Sequence, residues 1–277
     1  MAVRLFEGAA QAEDYSKFRF APPRQIQELL FSYLRSKGLP CAQAVDVGCG
    51  TGLSTRILAP HFLRVLGTDI SAVQLEQAAR DTSCANVSYR QSPAEELPVP
   101  DSSVDLVTAG SAVHWFDVPR FLREVDRILR PGGCLALYCY HYRVGLRYRD
   151  CCHLLDRILE EVDEALSPYE SERTRLVRGL YSDVYDAIAY SDKERVTDIP
   201  VALNLPVSAV MGYLSTTSMF QSFLRADPQA AAALLADAEE RVLRAMGVSS
   251  GDAEVEMLLS GVCVLACKPP EDKSASP

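Results

Sequence analysis

Short apolar runs alternate with amphipathic stretches over the first half of the chain. The first run, residues 42–47, leads directly into a glycine-rich turn, and further runs follow at 63–67, 87–90, 104–109 and 135–140. Between these runs, apolar residues recur at every third or fourth position, which is the spacing of one helix face. Apolar strands that alternate with helices predict a parallel sheet covered on both faces.

This rhythm changes after residue 140. Helical spacing indicates helices within 150–190, 206–224 and 228–246, whereas 196–205 and the second half of 254–267 have the apolar character of two more strands. We therefore predict an α/β protein with a Rossmann-like, seven-stranded, mostly parallel sheet. Helices cover both of its faces, and a helical lid is inserted late in the chain.

The same pattern predicts how the chain is divided. Residues 1–40 form a segment and a helix that cover the ligand site, 41–141 the Rossmann-like core, 142–253 the helical lid with the sixth strand, 254–268 the closing strand and 269–277 a tail. The tail is polar and contains serine and proline, a composition typical of disorder.

Composition narrows the possible partners. The formal net charge is −9, which argues against a nucleic acid, because proteins that neutralise phosphates usually carry a positive field. The chain has no apolar run of about 18 residues, so we expect no membrane span. Nine scattered cysteines and no leader pattern argue against a secreted disulfide framework. We expect a soluble, cytoplasmic protein that acts on a small molecule.

The glycine-rich turn after the first strand indicates a ligand site. Gly48, Gly50 and Gly52 allow a positive φ and a close approach of the ligand to the backbone, and the next helix begins with unpaired N–H groups. About 20 residues on, Asp69 ends the second strand, where a carboxylate accepts ribose hydroxyls in Rossmann-type sites. The alternatives are a tight turn without a ligand and an aspartate that caps the helix beginning at Ser71.

These segments resemble one enzyme family. Residues 46–52 are similar to motif I of class I S-adenosylmethionine-dependent methyltransferases, and they differ from the dinucleotide pattern, whose third glycine comes one position later. Four further segments resemble parts of the same family. Residues 92–98 resemble its adenine-binding turn, and residues 101–107 resemble the lead into its fourth strand. Residues 112–116 resemble a segment of one small-molecule subgroup, and residues 129–133 resemble the turn before the fifth strand. Residues 15–22 resemble the segment that trans-aconitate methyltransferase-like proteins fold over the cofactor, with Phe20-Ala21 in place of the usual proline.

The resemblance implies S-adenosyl-L-methionine as the cofactor. It implies a cofactor site formed by Tyr15, Phe18, Arg19, Asp46, Gly48, Cys49, Gly50, Thr51, Gly52, Asp69, Ile70, Pro93, Ala94, Glu95, Gly110, Ser111 and Ala112. The candidates for the substrate site are His114, Trp115, Tyr140 and His141. His114 is also the candidate general base, although a histidine there can equally form the pocket wall or pack in the core. No cysteine–histidine cluster has metal-ligand spacing, so we expect no metal.

The sequence therefore predicts methyl transfer to a small molecule, with a carboxylate or another oxygen as the acceptor. An ionised carboxylate needs no base, whereas an alcohol, a phenol or an amine usually needs one. Three alternatives stay open: methylation of nitrogen or carbon, a catalytically inert cofactor-binding protein, and a nicotinamide-dependent oxidoreductase, which the glycine spacing disfavours.

Overall fold

The computed structural model describes residues 8–270. Its centre is a sheet of eight strands within that range: β1 (Gln43–Val47), β2 (Arg64–Asp69), β3 (Val87–Gln91), β4 (Val104–Gly110), β5 (Leu129–Tyr140), β6 (Gly145–Arg147), β7 (Asp192–Pro206) and β8 (Glu254–Cys267). The order across the sheet is β3-β2-β1-β4-β5-β8, and β7 pairs with β8. The first five strands pair in parallel, while β8 is antiparallel to β5, β6 and β7.

The direction of strand succession reverses at β1. Strands β2 and β3 lie on one side of it and β4 and β5 on the other, which makes β1 the topological switch point where ligands bind in open α/β sheets. The register places Asp46 of β1 between Gly67 of β2 and Thr108 of β4. The carboxyl ends of these three strands therefore meet at one edge of the sheet.

Helices surround the sheet, and their ends follow local chemistry. They are α1 (Ala9–Phe18), α2 (Arg24–Lys37), α3 (Leu53–Leu58), α4 (Ala72–Arg80), α5 (Val118–Ile128), α6 (Cys152–Leu166), α7 (Arg175–Arg178), α8 (Ser182–Ala187), α9 (Val207–Ser215), α10 (Ser218–Ala226) and α11 (Pro228–Met246). Ser71 and Asp117 cap α4 and α5, because each side chain accepts a hydrogen bond from a first-turn N–H group. Gly38 ends α2 in the left-handed conformation.

Three groups of buried apolar side chains stabilise the layers. One lies between the sheet and helices α5, α7 and α8, and a second lies on the opposite face under α2 and α3. The third joins α6, α9, α10 and α11 to the outer parts of β7 and β8. The lid thus has an apolar core of its own, built on two long strands that continue beyond the core of the sheet.

The α/β class and the mostly parallel sheet are confirmed, with local differences. The eighth strand, β6, is a three-residue segment that pairs with β8. Helix α1 carries a weak apolar pattern and was not predicted. β8 spans the whole of its apolar segment, not only the second half, because β7 pairs along its entire length.

Two predicted helical regions are interrupted. Within 150–190, α6 belongs to the lid, but α7 and α8 pack on the sheet face. Within 206–224, the chain breaks between α9 and α10, where the Thr217 hydroxyl accepts a hydrogen bond from Phe220 N. Most of the predicted tail, 271–277, and residues 1–7 of the N-terminal segment lie outside the described residues. Between residues 8 and 270, no helix combines the length and apolar character needed to cross a bilayer.

Candidate active site

Three adjoining cavities lie at the carboxyl edge of the sheet. The outer cavity, of about 800 Å³, is lined by Asp69, Ile70, Gln74, Ser92, Pro93, Ala94, Glu95, Gly110, Ala112 and Phe116, among others. The turn cavity, of about 500 Å³, is lined by Cys49, Thr51, Ser54, Tyr138 and Phe20, among others. The inner cavity, of about 680 Å³ under the lid, is lined by His114, Cys139, Tyr142, Val177 and Met219, among others. Tyr15 and Ser111 line all three, so the cavities meet there.

The turn after β1 requires glycine at two positions for different reasons. Gly48 has a φ of +66°, and a Cβ there would lie 2.7 Å from Ala112 Cβ, closer than carbon atoms pack. Gly50 has a φ of +52°, but a Cβ there would meet only Gln74 Oε1 at 3.5 Å and Tyr15 at 3.9 Å. Gly48 therefore allows two chain segments to approach each other, while Gly50 leaves its backbone open to the outer and turn cavities.

Asp69 ties this turn to the end of β2. Its Oδ2 accepts a hydrogen bond of 2.9 Å from Gly50 N, and its Oδ1 accepts one of 2.8 Å from Ser71 N. The side chain also lines the outer cavity beside Ile70. The carboxylate thus faces the same space as the glycine turn, as the spacing predicts.

Asp46 has a different place from the one predicted. Its side chain is fully buried, and its two oxygens accept hydrogen bonds from Thr108 Oγ1 at 2.8 Å and from Thr55 Oγ1 at 2.7 Å. Burial raises the pKa of Asp46 to about 6, although the two threonine hydroxyls oppose this shift. Since Asp46 lines none of the three cavities, the structure assigns it to support of the turn from below.

The turn after β4 forms the opposite wall. Ser111 is a non-glycine residue at φ +51° and donates a 2.7 Å hydrogen bond from its N to Tyr138 O. Such a conformation is uncommon outside glycine and is found preferentially at functional sites. Arg173 holds the residues that follow, because its guanidinium donates to Trp115 O at 2.7 Å and to Phe116 O at 3.1 Å. Arg173, which lies just before α7, therefore fixes the position of this wall.

The N-terminal segment covers the meeting point of the cavities. Arg19 donates from Nε to Thr216 Oγ1 at 2.8 Å, and its guanidinium lies 5.1 Å from the ring centroid of Tyr15 and 4.5 Å from that of Tyr213. It lines both the turn cavity and the inner cavity. Phe18 does not line any of the three and packs against Gly212, where a Cβ would overlap its ring.

His114 forms part of the wall of the inner cavity. It is 7% exposed, and its Nδ1 lies 3.0 Å from the Tyr181 hydroxyl. Burial, with a smaller effect from Arg173 and Arg19, lowers the pKa of His114 to about 3. The imidazole is therefore neutral at physiological pH and is a poor general base, since an effective base has a pKa near the working pH.

The other candidate substrate residues separate into two groups. Trp115 lines the outer and inner cavities, with its ring centroid 4.8 Å from that of His114. Tyr140 lines the turn and inner cavities, and its buried hydroxyl has no hydrogen-bond partner among the described residues. His141 lines none of the three, because it stacks on Tyr142 at 4.6 Å and accepts a hydrogen bond from Arg143 N.

The remaining predicted residues have mixed positions. Thr51 and Cys49 line the turn cavity, and burial raises the pKa of the Cys49 thiol, which keeps it protonated. Gly52 lines none of the three cavities; a Cβ there would overlap the Tyr89 hydroxyl. Glu95 lines the outer cavity and accepts a 2.8 Å hydrogen bond from Asp117 N. Across residues 8–270, no group of three or more histidine, cysteine, aspartate or glutamate side chains has a metal-binding arrangement.

Sequence reasoning missed several lining residues. Gln74 faces the outer cavity with a buried Oε1 that lacks a described hydrogen-bond partner; its position one turn into α4 is the signal that could have found it. Others come from segments that begin at residue 138, namely Tyr138, Cys139, Tyr142, Thr174, Val177, Tyr213, Thr217, Ser218 and Met219. No motif distinguishes these from ordinary packing residues.

Comparison with known proteins agrees with this geometry. The family described as "Methyltransferase domain" matches residues 45–137, about a third of the chain. A protein of Dictyostelium discoideum assigned as a methyltransferase is 26% identical over 88% of each chain. Trans-aconitate 2-methyltransferase of Deinococcus radiodurans is 38% identical over 46% of each chain, and malonyl-[acyl-carrier protein] O-methyltransferase of Hahella chejuensis is 34% identical over 51% of this chain and 46% of that one.

A solved structure resembles nearly the whole chain. A protein of Anaeromyxobacter dehalogenans assigned to the type II methyltransferases superposes with a TM-score of 0.73, 27% identity and coverage of 92% of this chain and 100% of that one. The parallel sheet, the glycine turn and the strand-end carboxylate are features of a Rossmann-like nucleotide site. The chain is an S-adenosylmethionine-dependent methyltransferase, with its methyltransferase domain at residues 45–137.

Proposed function

We propose that the three cavities bind different parts of the two reactants. The outer cavity takes the adenosine part of S-adenosylmethionine, the turn cavity takes its methionine part, and the inner cavity takes a small-molecule acceptor. Tyr15 and Ser111, which line all three cavities, would then flank the sulfonium. When bound, the cofactor supplies a methyl group on a positively charged sulfur.

The residues present fit this cofactor. We assign the Asp69 carboxylate to the ribose hydroxyls, because it lines the outer cavity and the open backbone at Gly50 leaves room for the ligand beside it. The buried Oε1 of Gln74 offers an acceptor that lacks a described partner. Arg19 lies at the border between the turn and inner cavities, and we assign its guanidinium to the acceptor and not to the cofactor.

The inner cavity favours an anionic acceptor, and we infer a carboxylate. One observation carries this inference: the described residues that line the cavity include the cation Arg19, a neutral histidine and no carboxylate. An ionised carboxylate needs no proton removed, which suits a site whose histidine has a pKa of about 3. The chain's part in the reaction is then to exclude water and align the acceptor oxygen, and alignment lowers barriers by up to about 7–11 kcal/mol.

Two relatives support this choice of acceptor. One is named for trans-aconitate, which is a tricarboxylate, and the other for O-methylation of a malonyl group. Val177, Met219 and Trp115 also line the inner cavity. A carboxylic acid with an apolar body therefore matches both its charge and its lining.

The decisive experiment follows a labelled methyl group. Purified protein is incubated with methyl-labelled S-adenosylmethionine and a metabolite extract, and the labelled products are treated with mild alkali before mass spectrometry. A methyl ester releases labelled methanol under these conditions. N-methyl and C-methyl products survive, so a labelled product that resists alkali would overturn the carboxylate assignment. Cofactor binding without any labelled product would instead indicate an inert binding protein.

A further inference from the structure

Tyr181 lies outside the motifs that indicate the active site, yet it contacts His114 directly. It is completely buried on the sheet face, and its hydroxyl lies 3.0 Å from His114 Nδ1. Leu180 and Tyr181 have φ values of +48° and +55°. Positive φ values are unfavourable for bulky residues, and two in succession are rarer still. Such conformations persist where the surroundings enforce them, most often at functional sites.

Cys139 lies beside the Tyr181 hydroxyl. Burial raises the pKa of the Cys139 thiol to about 12, so the thiol keeps its proton. Cys139 and His114 both line the inner cavity.

The direction of the Tyr181–His114 hydrogen bond follows from the relative strength of the acceptors beside the hydroxyl. Imidazole nitrogen is a good acceptor and thiol sulfur a weak one. The favourable arrangement has Tyr181 O–H donating to His114 Nδ1, which lies 3.0 Å from the hydroxyl oxygen.

The other ring nitrogen of His114 is left for the cavity. Among residues 8–270, the hydrogen bond described for this ring joins Nδ1 to Tyr181, and His114 lines the inner cavity. Nε2 is therefore the ring nitrogen that we assign to that cavity. A neutral imidazole whose Nδ1 accepts a hydrogen bond carries its proton on Nε2.

We propose that Tyr181 is a positioning residue that fixes His114 as the Nε2–H tautomer, so that the inner cavity presents a hydrogen-bond donor to an anionic acceptor oxygen. His114 then works beside Arg19 in binding the acceptor and does not remove a proton. The choice of a carboxylate as ligand rests on the proposed function, whereas the tautomer rests on the contacts of His114 alone.

The tautomer is measured by long-range ¹H–¹⁵N NMR on the labelled full chain. The protein has four histidines, and the spectrum of His114→Gln assigns the signals of His114. The expected wild-type result is an unprotonated Nδ1 and a protonated Nε2, unchanged between pH 5 and 8. Tyr181→Phe should give a mixture of tautomers. Tyr185→Phe is the matched control, because that hydroxyl bonds to Lys193 O and should leave the signals unchanged.

The ligand class is measured by calorimetry on protein saturated with S-adenosylhomocysteine, with hexanoate and hexanamide as probes. The wild type should prefer hexanoate. His114→Gln keeps an N–H near the position of Nε2 and should retain most of this preference, while His114→Asn should lose about tenfold in hexanoate affinity, as expected for a hydrogen bond to a charged group.

The outcomes separate the two proposals. A proton on Nδ1 in the wild type, or an unchanged Tyr181→Phe spectrum, would overturn the role of Tyr181 even if methyl transfer is observed. Equal affinity for both probes would overturn the anionic acceptor at His114. Failure to bind S-adenosylhomocysteine would contradict the proposed cofactor site while leaving the tautomer result intact.

Discussion

The two halves of the site are built in different ways. The cofactor half consists of strand ends and short side chains, with Gly48, Gly50 and Asp69 placed by adjacent parallel strands. The acceptor half consists of side chains from separate segments, such as Arg19 before α2 and Met219 in α10. Sheet topology thus fixes the first half, whereas lid packing determines the second. We expect the acceptor half to tolerate change that the cofactor half does not.

The halves also differ in charge. Asp69 and Glu95 line the outer cavity, and no lysine or arginine does among the described residues. The inner cavity has Arg19, which also borders the turn cavity, and no carboxylate in the same range. An acidic half matches a cationic sulfonium compound, and a basic half matches an anionic acceptor. The following variants test this division.

The largest effect is expected at Asp46, beneath the cofactor half. Its pKa is about 6 in the folded protein against an ordinary value of 3.8, so the folded state binds the proton more tightly. The stabilisation is complete below pH 3.8 and is lost as the pH rises through 6, a change of about 3 kcal/mol. Asp46→Asn mimics the neutral form. As the pH rises from 4 to 7, the stability advantage of Asp46→Asn over the wild type in urea unfolding should therefore grow to about 3 kcal/mol.

A companion variant sharpens this prediction. The Thr55 hydroxyl favours the charged form of Asp46, so Thr55→Val should steepen the loss of stability with rising pH. Parallel stability curves for the wild type and Asp46→Asn would contradict the raised pKa.

Asp69→Ala tests the cofactor half directly. Removing the carboxylate should weaken S-adenosylmethionine binding by about ten- to a hundredfold, since a hydrogen bond to a charged group contributes about 1.5–3 kcal/mol. Calorimetry measures the affinity. Asp81→Ala is the matched control, because Asp81 caps the other end of α4 and pairs with Arg56 at 3.0 Å. Equal affinities for the wild type and Asp69→Ala would refute the ribose assignment.

The contrast between the halves also explains what the sequence could predict. Gly48, Gly50, Asp69 and Ser111 follow from the order of strands, because parallel strands bring their carboxyl ends to one edge. The direction of each side chain within the motifs was harder to predict. Proximity in the chain does not give side-chain direction, and Asp46 therefore points into the core, away from the cavities.

The same limit applies to the lid. Phe18 and His141 lie within or beside recognisable segments, yet they pack against Gly212 and Tyr142. Tyr181 depends on a left-handed backbone that follows α7, and hydrophobic periodicity contains no information about such a conformation. Contacts between distant segments decide these positions, and a single sequence does not record them.

Arg19→Met tests the charge of the acceptor half. The methionine side chain keeps much of the apolar volume but removes the cation. We expect about a tenfold loss of affinity for an anionic acceptor, as for one charge-assisted hydrogen bond, with a smaller change for cofactor. Lys17→Met removes an exposed cation from the last turn of α1, which Arg19 directly follows, and is the control. A larger loss for the cofactor than for the acceptor would place Arg19 on the methionine carboxylate instead.

The smallest effect concerns how the N-terminal segment is held over the site. A Cβ at Gly212 would overlap the Phe18 ring, so Gly212→Ala should destabilise the protein by about 1 kcal/mol through overpacking. In a Phe18→Ala background the same change should be neutral or stabilising by up to about 1 kcal/mol, because alanine favours the helix more than glycine does. A double-mutant cycle in urea unfolding measures the coupling between residues 18 and 212. The coupling is the difference between the effect of Gly212→Ala with Phe18 present and its effect with Phe18→Ala. If Gly212→Ala costs the same in both backgrounds, the ring does not pack there, and Phe18 returns as a candidate for direct contact with the cofactor.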